Sequence, residues 1–127
     1  MTGRELYEIS LDLCGLRKSD GTVPSDLDDL TQRALSMINL LIAETSSLDA
    51  KISGETLAIK KIDSLSDTIP ESDIVVRSVL PYGLARLLML TEDEAFADRL
   101  LFMYEQKRKE ALSFGKAEKE EIQEVYP

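Results

Sequence analysis

The sequence predicts an all-α fold: a small bundle of about four helices, with a long irregular or hairpin-like excursion between helices 2 and 3 and a flexible carboxyl-terminal tail. Apolar residues recur at steps of three and four along four separate stretches, which is the period of a helix with one buried face. Serine, threonine or aspartate stands where most of these stretches begin, as helix caps do. The 127 residues are enough for one domain.

The first two helices are predicted over about residues 3–16 and 26–45. Pro24 and the turn-forming residues before it predict the loop that separates them, because proline disfavours the helical region for the preceding residue. Ser25 is placed as the N-cap of the second helix. The aspartates that follow it suit the positive end of a helix dipole.

The excursion is predicted over residues 46–70, where apolar residues follow neither a clean helical period nor a clean strand period. Ser53 and Gly54 mark a turn within it. A short alternation favours one strand of a small hairpin over Thr56 to Asp63. We therefore expect an extended segment between the second and third helices.

The third helix is predicted in the most apolar stretch of the chain, beginning near Ser72. Pro81 lies inside this stretch, and a proline there removes one backbone donor and clashes with the preceding turn. We expect the helix to kink or restart near Leu80. Gly83 is expected to allow another helix to approach closely.

The fourth helix is predicted to begin at a Thr91 cap and to stop at Gly115, a residue type common at helix ends. The predicted helical domain is therefore 1–115, with the extended excursion at 46–70. The remainder, 116–127, is charged until its last residues and is predicted to be a tail or docking arm.

Composition excludes several classes of function. The chain has 24 acidic and 15 basic residues, a net charge of −9, one cysteine and no histidine. Catalysis or zinc binding that needs an imidazole is excluded. No stretch resembles a secretory signal or a membrane span, so we expect a soluble cytoplasmic protein without membrane partners. The acidic charge argues against sequence-specific nucleic-acid binding, and no cofactor motif is present.

Candidate chemical groups each have a simpler structural interpretation. Acidic clusters at two predicted helix starts suit the helix dipole, although a magnesium-dependent hydrolase is the enzymatic alternative. Cys14 is interpreted as a small buried hydrophobe, and Tyr82 and Tyr104 as edges of the core. The acidic residues at the helix starts are Asp26, Asp28, Asp29, Glu92, Asp93 and Glu94. Those in the tail, Glu118, Glu120, Glu121 and Glu124, are interpreted as a solvated run of charge. We expect no catalytic site and no metal site.

Two segments are unusually apolar for a monomer, namely the excursion and the end of the tail. Each either folds back on the core of its own chain or acts as an arm that reaches a neighbouring subunit. The candidate interaction residues in these segments are Leu57, Ile59, Ile62, Leu65, Ile122, Val125 and Tyr126.

From about Pro24 onward, a series of short segments follows a recognisable order. The segments are Arg33-Ala34 and Ile38-Asn39, Asp67-Thr68-Ile69-Pro70, Leu80-Pro81-Tyr82-Gly83-Leu84-Ala85, Glu92-Asp93-Glu94, Tyr104, and Ile122 to Tyr126. In this order the chain resembles the small head-tail connector, or head completion, proteins of tailed bacteriophages. The most specific part is the Pro-Tyr-Gly-Leu-Ala run followed closely by an acidic helix start.

The resemblance implies a structural phage or prophage protein of the virion neck. Such a protein assembles with copies of itself as a ring beneath the portal protein, extends the DNA channel and joins the DNA-filled head to the tail. Its implied partners are the portal and a downstream neck or tail protein. It is made in the bacterial cytoplasm and ends in the virion. The alternative is an intracellular helical adaptor or regulator that binds a host protein.

Overall fold

A computed structural model describes residues 1–17 and 28–125, with side chains over 1–17 and 29–115. Its α-helices are α1 (Gly3–Cys14), α2 (Asp28–Ser53), α3 (Leu80–Met89) and α4 (Glu94–Val125), and a π-helical turn (Val75–Val79) leads into α3. The described residues contain no strand, only an isolated antiparallel bridge between Thr2 and Thr68. The predicted all-α class with four helices is confirmed.

Helix α1 has well-formed caps at both ends. The Thr2 hydroxyl accepts a hydrogen bond from the Glu5 backbone N–H at 3.2 Å, and the Glu5 carboxylate accepts one from the Thr2 N–H at 3.2 Å. This reciprocal pair satisfies two of the free donors of the first turn. Gly15 ends the helix in the left-handed conformation, with φ of 69°. The predicted end at residue 16 is therefore two residues too late.

Helix α2 is longer than predicted, because it continues to Ser53 instead of ending at Thr45. The added turns bury Leu48 and Asp49. The buried hydroxyl of Thr45 lies 2.8 Å from the Leu41 carbonyl and 2.9 Å from the Glu71 carboxylate, so this polar residue has partners both within the helix and beyond it. The predicted excursion over 46–70 is consequently wrong in its first eight residues. The Pro24 loop and the Ser25 cap lie outside the described residues.

The π-helical turn allows Pro81 to be accommodated in an otherwise continuous helical stretch. The Leu80 N–H donates to the Val75 carbonyl, five residues back, and Pro81 then lies in the first turn of α3. A proline is tolerated there because its missing N–H is not needed. The expected kink or restart near Leu80 is confirmed.

The core is centred on the π-helical turn and α3, which pack against all three other helices. Gly83 lies where α3 meets α2 and α4. A Cβ atom at this position would lie 2.8 Å from Tyr104 Cε2 and 2.9 Å from Leu41 Cδ2. The expected close helix approach at Gly83 is confirmed.

Helix α4 differs from the prediction at both ends. Its cap is Asp93 and not Thr91, since the Asp93 carboxylate accepts from the Phe96 N–H at 3.1 Å. The helix also passes through Gly115 to Val125. Gly115 is buried against Ile52, so its lack of a side chain serves the contact with α2. The predicted helix stop at Gly115 is therefore wrong.

Candidate functional site

The segment between α2 and the third helical region divides into an outer arm, residues 55–61, and an inner arm, residues 62–70. Gly54 starts the segment with φ of 76° and its N–H donates to the Ala50 carbonyl at 2.9 Å. Every residue of the outer arm is exposed. The predicted strand over Thr56 to Asp63 is therefore wrong, because no second strand pairs with it among the described residues.

Two large apolar side chains of the outer arm face solvent. Leu57 is 57% exposed and Ile59 is 72% exposed. Lys60 lies beside them and is 3.9 Å from the Glu55 carboxylate. Two of the predicted interaction residues are therefore exposed on the outer arm, and the rest of the described chain does not cover them.

The inner arm is fixed to the core, beginning with Ile62. The Asn39 side chain donates from Nδ2 to the Ile62 carbonyl at 2.9 Å and accepts from the Ile62 N–H at 2.8 Å. Ile62 and Ile69 are each only 3% exposed. Leu65 is partly buried against the core and close to Gly3. Ile62 and Leu65 therefore fold back on their own chain.

The inner arm also holds the start of α1. The Gly3 N–H donates to the Asp67 carbonyl at 3.1 Å, the Arg4 N–H donates to the Leu65 carbonyl at 2.8 Å, and the Ile69 N–H donates to the Met1 carbonyl at 2.9 Å. The bonds from Gly3 and Arg4 satisfy backbone donors that the first turn of a helix leaves free. The inner arm is consequently a structural element that closes the fold.

The predicted interaction residues at the carboxyl end lie wholly or partly outside the described residues. Ile122 and Val125 belong to the last turns of α4, but their side chains lie outside the described set. Tyr126 lies outside the described residues altogether. Of the seven predicted residues, Leu57 and Ile59 are exposed, Ile62 and Leu65 pack on the core, and three stay predictions.

Two carboxylates, those of Asp49 and Glu71, line a pocket of about 300 Å³ between the outer arm and the end of α2. Asp49 accepts hydrogen bonds at 2.7 Å from both the N–H and the hydroxyl of Ser72. Glu71 lies 2.9 Å from the Thr45 hydroxyl. Burial raises the pKa of Glu71 to about 7, although the Thr45 hydrogen bond opposes this. Lys60 of the outer arm lines the same pocket.

A second polar group joins α2 to α4. The Tyr104 hydroxyl donates to the Glu44 carboxylate at 2.9 Å, and burial together with this carboxylate raises the pKa of Tyr104. Arg108 lies 3.7 Å from the same carboxylate and 5.5 Å from the centre of the Tyr104 ring. Tyr104 is therefore a core residue whose hydroxyl is satisfied, as its position among leucines predicts.

Among the described residues, the remaining chemical candidates do not form a site. Within the described residues, no group of three or more Cys, Asp or Glu side chains is arranged to hold a metal ion. Cys14 is half-buried, and its thiol donates to the Ala85 carbonyl at 3.7 Å. Burial raises the pKa of this thiol to about 11, which disfavours the reactive thiolate. None of the described helices is both long and apolar enough to cross a membrane.

The structure also contains a surface that sequence reasoning missed, a groove of about 370 Å³ between α2 and α4. Lys51 reaches it from α2, and Arg108 and Lys109 reach it from α4. In the sequence, the only signal was the short basic run Lys107 to Lys109. Its continuation by Lys51 depends on the packing of the two helices.

Comparisons with protein-family models, with curated proteins and with solved structures find no match to this chain.

Proposed function

We propose that the chain is a structural head-tail connector of a tailed phage or prophage. Copies of it form a ring beneath the portal, extend the DNA channel, and join the DNA-filled head to the tail. The proposal is supported by the short sequence segments between Arg33 and Tyr126, which follow one another in the same order as in this family. The role is non-enzymatic and needs no cofactor. Its place is the bacterial cytoplasm during assembly and then the virion neck.

The observation that carries the proposal is the outer arm. Leu57 and Ile59 are exposed on a short segment that Gly54 and the Asn39–Ile62 pair fix at its two ends. Exposed apolar side chains grouped on one element are typical of a protein contact. Because the ends of the arm are already fixed, docking it costs less conformational entropy than ordering a free tail.

The charge of the chain suits a channel through which DNA moves. A net charge of −9 gives no counterion-release gain with a phosphate backbone, so DNA is not retained by the ring. The proposed partners are therefore proteins: neighbouring copies, the portal, and the next neck or tail protein. No sequence-specific nucleic-acid contact is required.

The test is co-sedimentation with portal-bearing, DNA-filled heads produced by the encoding phage after deletion of this gene. The full chain is expected to bind saturably, and Leu57→Gln with Ile59→Gln is expected to weaken binding at least tenfold. Leu40→Gln is the matched control, because Leu40 is also 57% exposed but lies on α2. A chain that ends at Gly115 tests the predicted contacts of Ile122, Val125 and Tyr126.

Absence of binding by the full chain would overturn the connector proposal and favour the adaptor alternative. Equal loss of binding in the arm variant and in the Leu40 control would remove the outer arm from the contact. The genes beside this one provide an independent check, because the proposal expects portal, capsid or tail genes there.

A further inference from the structure

The backbone of the outer arm is unpaired within the described part of the chain. At one end of the arm, the Glu55 N–H donates to the Ser53 hydroxyl at 3.3 Å. At the other end, both backbone groups of Ile62 pair with the Asn39 side chain. Between these points, no backbone N–H or C=O of residues 56–61 has a hydrogen-bond partner among the residues that the structure describes. Such a row of free backbone groups is what an edge strand offers to a second chain.

The outer arm also has the shape that strand pairing needs. Residues 55–61 contain no helix, turn or bend, so the chain runs through them without a sharp change of direction. In an extended segment, side chains alternate between two sides. One side of the arm therefore carries Glu55, Leu57, Ile59 and Lys61. This side has two apolar residues in its centre and opposite charges at its ends.

This side of the arm is complementary to itself when two arms run antiparallel. With Ala58 of one copy opposite Ala58 of another, Leu57 of each copy lies opposite Ile59 of the other. Glu55 of each copy then lies opposite Lys61 of the other. Apolar pairs and pairs of opposite charge are the cross-strand neighbours that stabilise antiparallel strands. The two-fold symmetry of the arrangement forms each pair twice.

Other registers of the same pairing lose this match. A shift of two residues in one direction places Leu57 opposite Lys61, and a shift of two in the other direction places Ile59 opposite Glu55. A shift of one residue sets the apolar residues opposite side chains of the other side of the arm. The sequence of the arm therefore favours the register that is centred on Ala58.

The charged side chains at the ends of the arm have partners within the chain, but these pairs are exposed. Lys60 lies 3.9 Å from the Glu55 carboxylate, and Lys61 lies 3.5 Å from the Asp63 carboxylate. Exposed ion pairs contribute little to stability, so Glu55 and Lys61 exchange partners at small cost. The apolar pairs and the backbone hydrogen bonds would hold two arms together, while the charges select the register.

We propose that the outer arms of two copies pair as antiparallel strands in a two-fold dimer of the free protein, centred on Ala58. The contact closes after two copies and is distinct from a ring. The pairing does not depend on the proposed function. One consequence does rest on it: because the same arm is proposed to dock beneath the portal, the dimer keeps Leu57 and Ile59 covered until a head offers a competing partner.

The first test is sedimentation equilibrium of the purified full chain at low salt, where attraction between opposite charges is least screened. Glu55→Lys and Lys61→Glu are each expected to raise the dissociation constant of the dimer at least fivefold, because each turns two attractive pairs into repulsive ones. Combining the two changes restores the attraction and the net charge, so the double variant is expected to dimerise like the unchanged chain. Glu92→Lys, at an exposed position outside the arm, is the control for the change in net charge. Circular dichroism confirms that each variant is folded.

The second test is cysteine cross-linking, which reports the register directly. In a Cys14→Ala background, Ala58→Cys places two thiols at opposite positions, where the Cα atoms of antiparallel strands lie about 4.5–5.5 Å apart and within disulfide range. Thr56→Cys is the matched control on the same side of the arm, since in this register its two copies lie about 14 Å apart along the strands. Oxidation with diamide is expected to cross-link Ala58→Cys and not Thr56→Cys.

A chain that stays monomeric up to about 1 mM would overturn the proposal. So would a dimer whose dissociation constant is unchanged in Leu57→Gln with Ile59→Gln, because the contact would then use another surface. Failure of the double charge exchange to restore the dimer, or equal cross-linking at positions 56 and 58, would overturn the register and the proposal with it. Both tests use only the purified chain, so their failure is distinguishable from a failure to bind heads.

Discussion

The side-chain amide of Asn39 pairs with both backbone groups of Ile62, donating to its carbonyl at 2.9 Å and accepting from its N–H at 2.8 Å. One α2 side chain thus does for the start of the inner arm what a neighbouring strand does in a sheet. The pairing holds Ile62 in the core and leaves the outer arm free to face solvent.

Replacing Asn39 with alanine is expected to lower the free energy of unfolding by about 2 kcal/mol, because two buried backbone groups of Ile62 lose their partner. Urea denaturation measures this change. Gln32→Ala, at an exposed position on the same helix, is the control and should change stability little. Equal stability of the two variants would contradict the role given to Asn39.

Gly83→Ala is expected to destabilise the protein by about 1–3 kcal/mol, because the new methyl group overlaps Tyr104 and Leu41. Gly115→Ala is the matched comparison, since a Cβ there would meet Ile52 Cγ1 at 3.1 Å and the helix gains propensity. In thermal melts, the melting temperature of Gly83→Ala should lie well below that of Gly115→Ala. The reverse order would show that the α3 contact tolerates the methyl group.

Stability is expected to fall as the pH rises from about 4.5 to about 7, because burial raises the pKa of Glu71 from its ordinary 4.5 to about 7. In this window the unfolded chain releases the Glu71 proton while the folded chain keeps it, so unfolding becomes easier. Above about pH 7 both states are ionised and this contribution is constant.

Glu71→Gln is therefore expected to raise the free energy of unfolding at pH 8 by about 1–2 kcal/mol, a range already reduced for solvent screening of a half-buried group. The pH dependence should flatten at the same time. Urea denaturation at several pH values measures both effects. Glu55→Gln, on the exposed outer arm, is the control, and an unchanged pH profile in Glu71→Gln would refute the assignment.

Cys14 is expected to react slowly in the folded protein, because burial raises the pKa of its thiol to about 11 and leaves little thiolate at neutral pH. Alkylation by iodoacetamide at pH 8 should be about 100-fold slower than in the urea-unfolded chain. Mass spectrometry follows the reaction directly. Similar rates in the two states would show that the thiol is open to solvent.

Helix existence was predictable from the sequence, whereas several helix ends were not. The period of the apolar residues and the position of Pro81 are local signals, and the structure confirms four helices and the restart near Leu80. The end of α2 and the passage of α4 through Gly115 depend instead on a contact between Ile52 and Gly115. No local pattern reports a contact between residues so far apart in the chain.

Only part of the candidate site could be predicted from the sequence. Apolar composition marked the arm, but the Asn39 pairing decides that Ile62 is buried while Leu57 and Ile59 are exposed. The groove between α2 and α4 could not be predicted, since Lys51 and Lys109 come together only through helix packing.

The position of α1 has a consequence for synthesis on the ribosome. This helix packs chiefly against α3, and its first turn is closed by the inner arm, so its partners are translated some sixty to eighty residues after it. Contacts between such distant parts of a chain form slowly, since a long loop must close first. The burial of Leu6 and Leu11 on α1 is therefore completed only after the inner arm and α3 have been translated.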